Sequence, residues 1–460
     1  MFWGGLQLEV GEDSQVRLRV AFCVYRGNPY SGGQGVYTKY LTGALADLGH
    51  QVTVFSGPPY PHLDPRVELV EVSSLDLYRE PDPFRVPRLS EFKTAFDAIE
   101  FGLMSTGAFP EPRVFGYRVS RLIANRINDF DVIHDNQSLN WSLLKLAYQG
   151  KPLVTSIHHP ITVDRRLDIN AARGIKAKVG SLRWYGFVKH QCEVARRVAT
   201  VLTVSETSRT DMISAMGVDP DRVQVVSIGV DTTVFRPNPA VQRIPHQVIT
   251  TASADVPLKG LIYLVQAIAI LVKTYPDVKL RIIGARRADS EVQRRVNELG
   301  LGFCVEFLGK ITQDEIVSLY NASHVACVPS LYEGFSLPAI EAMACGIPLV
   351  ATDGGALPEV VGPDQTAGLI VRAKDAGALA AAIGRIFTDA QLASSLSHHA
   401  RLRVLSNYSW KSAAIATAEV YQSAIAANDK LGAPGDMVNG KPVLRNDSGS
   451  IPEVTYGLHS

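Results

Sequence analysis

The feature that most restricts how this chain can fold is an alternation that occurs twice along its length: a short apolar run, a glycine turn, a helix-length segment and another apolar run. The first copy opens with VRLRVAFCVY (16–25), read as a buried strand, and SGGQGVY (31–37), read as a glycine loop. TKYLTGALADLG (38–49) is then a helix stopped at Gly49, and HQVTVFSG (50–57) is the next strand. Continuous apolar runs bounded by turn signals suit strands buried on both faces, and parallel neighbours require a crossover of this kind. Further strands are expected at DVIH (131–134), PLVTSIHH (152–159) and VATVLTVS (198–205).

The second copy begins at HQVITTAS (246–253). It continues through LKGLIYLVQAIAILVKTY (258–275), VKLRIIG (278–284), VEFLG (305–309), HVACVPS (324–330) and IPLVATDGG (347–355). At 460 residues the chain is too long for one core, so about two domains are expected. The pattern predicts an α/β protein of two Rossmann-like, doubly wound domains facing each other across a cleft, with ligands beyond the carboxyl ends of the strands. Their bounds are set at 16–237 and 238–405. A helix over 406–428 is expected to pack back toward the first half. The proline- and aromatic-rich stretch 75–114 reads as helices and loops inserted there, and 429–460 as a flexible tail.

Composition excludes several classes. Lys and Arg total 46 against 45 Asp and Glu, so no global charge argues for nucleic acid. The five cysteines, Cys23, Cys192, Cys304, Cys327 and Cys345, lack CxxC spacing and mostly sit in apolar surroundings. Buried free thiols are expected rather than disulfides or zinc. No leader-like N-terminal run is apparent, and the longest apolar stretch, 261–272, is too short to span a bilayer, so a cytoplasmic protein is expected.

The most chemical segment is YEGFSLPAIEAMACG (332–346), in which two carboxylates, Glu333 and Glu341, bracket a turn. Pro338 suits a first helical turn and Gly346 a helix stop, leaving the amides around Phe335, Ser336 and Leu337 unpaired at a positive helix end. That is an anion site. A capping box does not account for Glu341, because Ser336 plus three is Ala339. Either acid could be solvated surface; alternatively, a carboxylate there accepts two hydrogen bonds from neighbouring hydroxyls, which a sugar and a ribose both offer.

The E-x7-E spacing of Glu333 and Glu341 lies within VPSLYEGFSLPAIEAMACGIPLVATDGGALPEVV. With SGGQGVY, VSETSR (204–209), IGVDTTVFRP (228–237) and LKG (258–260) in this order, it resembles the signature of the family 4 retaining glycosyltransferases of GT-B fold, over about 16–425. The resemblance implies that Glu341 holds the nucleotide ribose, that Glu333 lies near the transferred sugar, and that the backbone of Gly334, Phe335, Ser336 and Leu337 holds sugar oxygens and phosphate. It implies that Gly32 and Gly33 form the loop that approaches sugar and pyrophosphate, and that Lys259 neutralises the departing diphosphate. His158 corresponds to the family's histidine facing acceptor or sugar, although the adjacent His159 leaves the register open. The family's arginine five or six residues before the lysine is replaced by Ala254 or Ser253; Arg286 or Arg287 is a candidate substitute for it.

The implied activity is a metal-independent retaining transferase, a hexosyltransferase by expectation. It would move sugar from a nucleotide-diphosphate donor, a substrate rather than a cofactor, to a small-molecule or lipid-linked hydroxyl. No DxD sequence stands at a strand end, and DFD (129–131) precedes its strand. The segment 165–197 has nine basic and two acidic residues, a net +7, interleaved with Trp184, Tyr185 and Phe187. With FGLMSTGAF (101–109) it reads either as an anionic-membrane contact or as a solvated helix. Competing readings are a nucleotide-sugar epimerase or hydrolase of the same fold and a non-catalytic nucleotide-binding module. An NAD-dependent oxidoreductase is disfavoured, because SGGQGVY is not G-x-G-x-x-G.

Overall fold

The computed structural model describes residues 16–28, 33–79, 82–172, 174–252, 256–284, 290–309 and 311–430, and two short strands at 437–438 and 441–442. Two parallel sheets organise it. The first has seven strands: β1 (Arg19–Val24), β2 (Gln51–Ser56), β3 (Glu68–Glu71), β4 (Val132–Asn136), β5 (Leu153–Ser156), β6 (Thr200–Thr203) and β7 (Val223–Val225). Their order is β3-β2-β1-β4-β5-β6-β7. The second has six: β8 (Gln247–Thr251), β9 (Lys279–Ile283), β10 (Val305–Gly309), β11 (Val325–Val328), β12 (Leu349–Thr352) and β13 (Leu369–Val371), in the order β10-β9-β8-β11-β12-β13. In both sheets the order reverses beside the first strand, between β1 and β4 and between β8 and β11, which is where doubly wound sheets open a crevice for ligand.

The apolar runs become central strands because burial on both faces stabilises them. Val20, Phe22 and Val24 of β1 are inaccessible to solvent, at about 1.5–3 kcal/mol per large side chain. The helix Leu261–Leu271 likewise buries Leu261, Leu264, Val265, Ala267, Ile268 and Leu271 against the second sheet, which explains its apolar composition. All five cysteines are buried and unpaired. Among the described residues no helix is long and apolar enough to cross a membrane.

The last long helix, Trp410–Lys430, returns to the first sheet and lies along the helix Gly33–Asp47, with Trp410 stacked on Tyr40 at 5.5 Å between ring centroids. Inside the first half, Tyr421 of that helix meets His134 of β4.

Two expectations need correction. The glycine loop does not reach Tyr37: the helix already begins at Gly33, with Gly35 and the ring of Tyr37 buried on its inner face. The aromatics of 165–197 do not point outward either. The Trp184 ring packs 5.1 Å from Phe109 and 5.7 Å from Tyr78, and Phe187 is buried, because rings of this size stabilise more inside than on a surface. The flexible-tail expectation falls largely outside the described residues.

Candidate active site

In the second half, the chain leaves β11 through Pro329–Ser336 and turns into the helix Leu337–Ala344. Ser336 takes φ 103°, a left-handed conformation that redirects the backbone, and Pro338 supplies a pre-set first turn. First-turn amides have no intrahelical acceptor, so the positive end of this helix faces whatever occupies the cleft. Gly346, with φ 65°, ends it as expected from the sequence.

Lys259 closes a short turn, Pro257–Lys259, after β8. The Leu331 amide donates to the Leu258 carbonyl at 2.7 Å, and Gly260, at φ 64°, lies so close to the Pro329 carbonyl that a Cβ would sit 1.9 Å from its oxygen. This packing brings Lys259 Nζ to 2.8 Å from Glu333 Oε1, which also accepts from Ser330 Oγ at 2.7 Å. Lysine and acid therefore converge at the crevice beside β8 and β11.

Glu341, eight residues after Glu333 and one turn into the helix Leu337–Ala344, sits close to Tyr320, Tyr40 and Cys345. Burial raises its carboxyl from about 4.5 to about 7, and among the described residues no hydrogen bond or neighbouring charge offsets it. The same carboxylate, secondary to burial, helps push the Cys345 thiol up to about 12.

The first half contributes Gly33, Gln34, Tyr37, Gln137, His158, His159 and Asp164 to a cavity of about 470 Å3. Lys259, Glu333 and the backbone of Gly334, Phe335, Ser336 and Leu337 form its opposite wall. The volume suits a small-molecule ligand. Both histidines after β5 line it. His158 presents Nε2 to Asn136 Oδ1 at 2.7 Å and takes the edge of Tyr37 at 4.4 Å between rings. His159 is paired through Nε2 with Asp164 at 2.7 Å and lies against Tyr332. Burial lowers His158 from 6.5 to about 4, so it is neutral near pH 7. Among the described residues no group of three His, Cys, Asp or Glu is placed to hold a metal ion. Gly32, Ser253, Ala254, Arg286 and Arg287 lie outside the described residues.

Sequence reasoning missed how the two walls are joined. The Gly334 carbonyl accepts from Ser205 Oγ at 2.6 Å and Ser208 Oγ at 3.1 Å, both at the start of the helix Glu206–Met216. Glu359, from the second half, accepts from the amides of Glu206 at 3.0 Å and Thr207 at 3.3 Å on that same helix end. Tyr332 Oη donates to Asp211. A Cβ on Gly334 would lie 2.8 Å from the His158 carbonyl, so only glycine allows this approach. The signal was present in VSETSR and ALPEVV, which carry these residues, but their pairing across the cleft is a tertiary fact.

Two parallel sheets with strand reversals, and a cleft lined by a lysine, acids and two helix starts, define a two-domain transferase of GT-B type. The model for Glycosyltransferase Family 4 matches residues 31–234 and that for Glycosyl transferases group 1 matches 240–403. The chain is 46% identical over 410 residues to the MMP alpha-(1->4)-mannosyltransferase of Mycolicibacterium hassiacum, covering 89% of this chain and 99% of that protein. It is 29% identical over 419 residues to the D-inositol 3-phosphate glycosyltransferase of Saccharomonospora viridis, covering 87% and 91%. This chain belongs to the family 4, group 1 glycosyltransferases, and it is a glycosyltransferase. The fold is also that of sucrose-phosphate synthase from Thermosynechococcus elongatus (TM-score 0.66, 24% identity, 89% and 100% covered). HepE of Anabaena, solved with UDP, shares it as well (TM-score 0.62, 18% identity, 88% and 100% covered).

Proposed function

We propose that this enzyme transfers a mannosyl unit, with retention of configuration, from a nucleoside-diphosphate sugar to a hydroxyl of a saccharide acceptor. The observation that carries the reading is the 46% identity to the M. hassiacum mannosyltransferase over nearly its whole length. In the reaction the bond between C1 and the phosphate oxygen breaks, its electron pair going to the diphosphate. The acceptor oxygen bonds C1 on the same face, and its proton passes to the departing phosphate.

Lys259 Nζ and the first-turn amides after Phe335 meet the charge that grows on the diphosphate; losing one such donor typically costs about 3 kcal/mol of barrier. Glu333, fixed by Lys259 and Ser330, accepts from hydroxyls of the transferred sugar. Glu341 takes the ribose diol. Gly33, at a helix start on the opposite wall, approaches the sugar and pyrophosphate, and the neutral His158 accepts from a sugar or acceptor hydroxyl. The donor half is assigned to 238–405 and the acceptor half to 16–237. The test is transfer from a panel of GDP-, UDP- and ADP-linked hexoses to mannosides, with the product's anomeric coupling read by NMR. Equal loss of donor with and without acceptor, or an inverted product, refutes it.

A cytoplasmic enzyme contacting an anionic lipid surface through 165–197 remains part of this reading, on changed grounds. The helix Ile175–Trp184 buries no residue, and Ile175 (85% exposed), Val179 and Leu182 form one apolar stripe beside Lys176, Lys178 and Arg183. Co-flotation with phosphatidylglycerol vesicles, lost in Ile175→Asp/Val179→Asp, is expected; equal flotation with neutral vesicles refutes it.

A further inference from the structure

The hydrogen bonds beneath His158 run in one direction. The geometry points to Asn136 and Thr38 as positioning residues that hold His158 as its Nε2–H tautomer, leaving the Nδ1 lone pair for a substrate hydroxyl. This rests on the proposed role of His158 in the transferase reaction.

The direction is fixed at one end by a group that can only accept. Thr38 Oγ1 lies 2.8 Å from the Gln34 carbonyl, so its hydrogen must point there. The same oxygen is therefore an acceptor toward Asn136, whose Nδ2 is 3.3 Å away. That places Asn136 Oδ1, itself an acceptor, 2.7 Å from His158 Nε2, so Nε2 carries the proton. Asn136 and Thr38 are both inaccessible to solvent, so no water competes for these bonds. The Gln137 side chain holds the His158 amide at 3.1 Å and the Tyr37 edge fixes the ring. With the ring neutral, an acceptor faces the ligand; with a proton on both nitrogens it would face the ligand as a second donor, the wrong partner for a hydroxyl that must itself give up its hydrogen.

Other titratable or charged groups around the ring are His134 on β4, Tyr37 on the facing helix, His159 and Asp164 next in the chain, and Lys259 and Glu333 across the cavity. None of these is bonded to Nε2; Asn136 is.

Long-range 1H–15N correlation spectra of the full-length, histidine-labelled protein read the tautomer directly. The Nε2–H pattern is expected for the resonance that disappears in His158→Ala, and an Nδ1–H pattern overturns the inference. Thr38→Val should abolish the preference, and Thr38→Ser should restore it. Asn136→Asp places a carboxylate on Nε2 and should favour the doubly protonated ring. At saturating donor its kcat should then fall about tenfold per pH unit on the acid side of neutrality, where the wild type stays level. Parallel profiles for the two proteins overturn the inference; should the variant not fold, the wild-type spectrum still decides. If His158→Ala keeps full transferase activity, the catalytic role of His158 fails while the tautomer assignment stands on its spectrum.

Discussion

Replacing Glu341 by glutamine should make the free enzyme more stable and its donor binding weaker, two effects of opposite sign from one side chain. The carboxyl titrates near 7 in the fold against about 4.5 when exposed. An acid whose folded value is raised binds its proton more tightly folded than unfolded, so ionisation penalises the fold. The penalty is absent below pH 4.5, grows to pH 7 and is constant above. At about 1.36 kcal/mol per pH unit its ceiling is about 3.4 kcal/mol, and water reaching the side chain from the cleft reduces this to about 2 kcal/mol. Glu341→Gln, neutral at every pH, should therefore gain about 2 kcal/mol at pH 8 and nothing at pH 4.5. For lobes of this size that is about 4–8 °C in Tm. In the proposed donor complex a ribose diol would donate two hydrogen bonds to the ionised carboxylate, and bonds to a charged group are worth about 1.5–3 kcal/mol. Nucleoside-diphosphate affinity should then fall 10- to 100-fold in the variant. In the wild type it should weaken about tenfold from pH 8 to pH 6 as the acid takes up its proton. Thermal melts at the two pH values, with calorimetric titration of GDP and UDP, measure both effects. A variant less stable than wild type at pH 8, or one that binds nucleotide equally well and with the same pH dependence, refutes the reasoning.

Three further outcomes follow from the cleft. Lys259→Ala should lower kcat about 10²–10³-fold, read in steady-state transfer at saturating donor; an effect confined to KM would remove it from transition-state stabilisation. Glu359→Ala removes a carboxylate from a helix start, and should widen the particle in small-angle scattering and lower kcat/KM several-fold, with an unchanged scattering profile counting against it. Tyr421→Phe deletes the hydroxyl 2.5 Å from His134 Nδ1 and leaves that buried ring nitrogen unpaired, so a loss of about 1–3 kcal/mol in denaturant unfolding is expected, and no loss refutes the contact.

Much of this was legible because strand burial and helix termination are local. The central strands read correctly from continuous apolar runs, as did Pro338 and Gly346 at the two ends of the helix carrying Glu341. β3, β7 and β13 did not, because ELVE and VQV are short and carry polar residues, and LIV is three residues at the sheet edge. The convergence of Lys259 and Glu333 entered only through family resemblance. Their separation of 74 residues is closed by the Leu258–Leu331 bond and the Gly260 contact, which no local pattern announces. The aromatic rings that suggested a membrane face pack inward for a related reason. A sequence shows which side chains are aromatic; it does not show that Tyr78 and Phe109 wait to receive Trp184, which leaves the aliphatic Ile175, Val179 and Leu182 outside instead.

The contacts that join the halves are unequal in kind, and that inequality bears on turnover. At one side the chain itself crosses, with the Val230 amide on the Tyr408 carbonyl at 3.0 Å and Trp410, Tyr37 and Phe335 in one buried apolar cluster. At the cleft mouth the union is polar: two serine hydroxyls on the Gly334 carbonyl, one acid on a helix end, and one phenol on Asp211. Each such bond contributes only about 1 kcal/mol net, because water satisfies the same groups when it breaks. The apolar side is therefore the persistent one and the mouth is the side that can part to admit donor and release nucleotide. Gly334 is the residue after Glu333, so forming the serine bonds also sets where Glu333 stands. In the proposed reaction, closure and placement of Glu333 are then one event, and a donor that cannot reach Glu333 gives the mouth nothing to close upon.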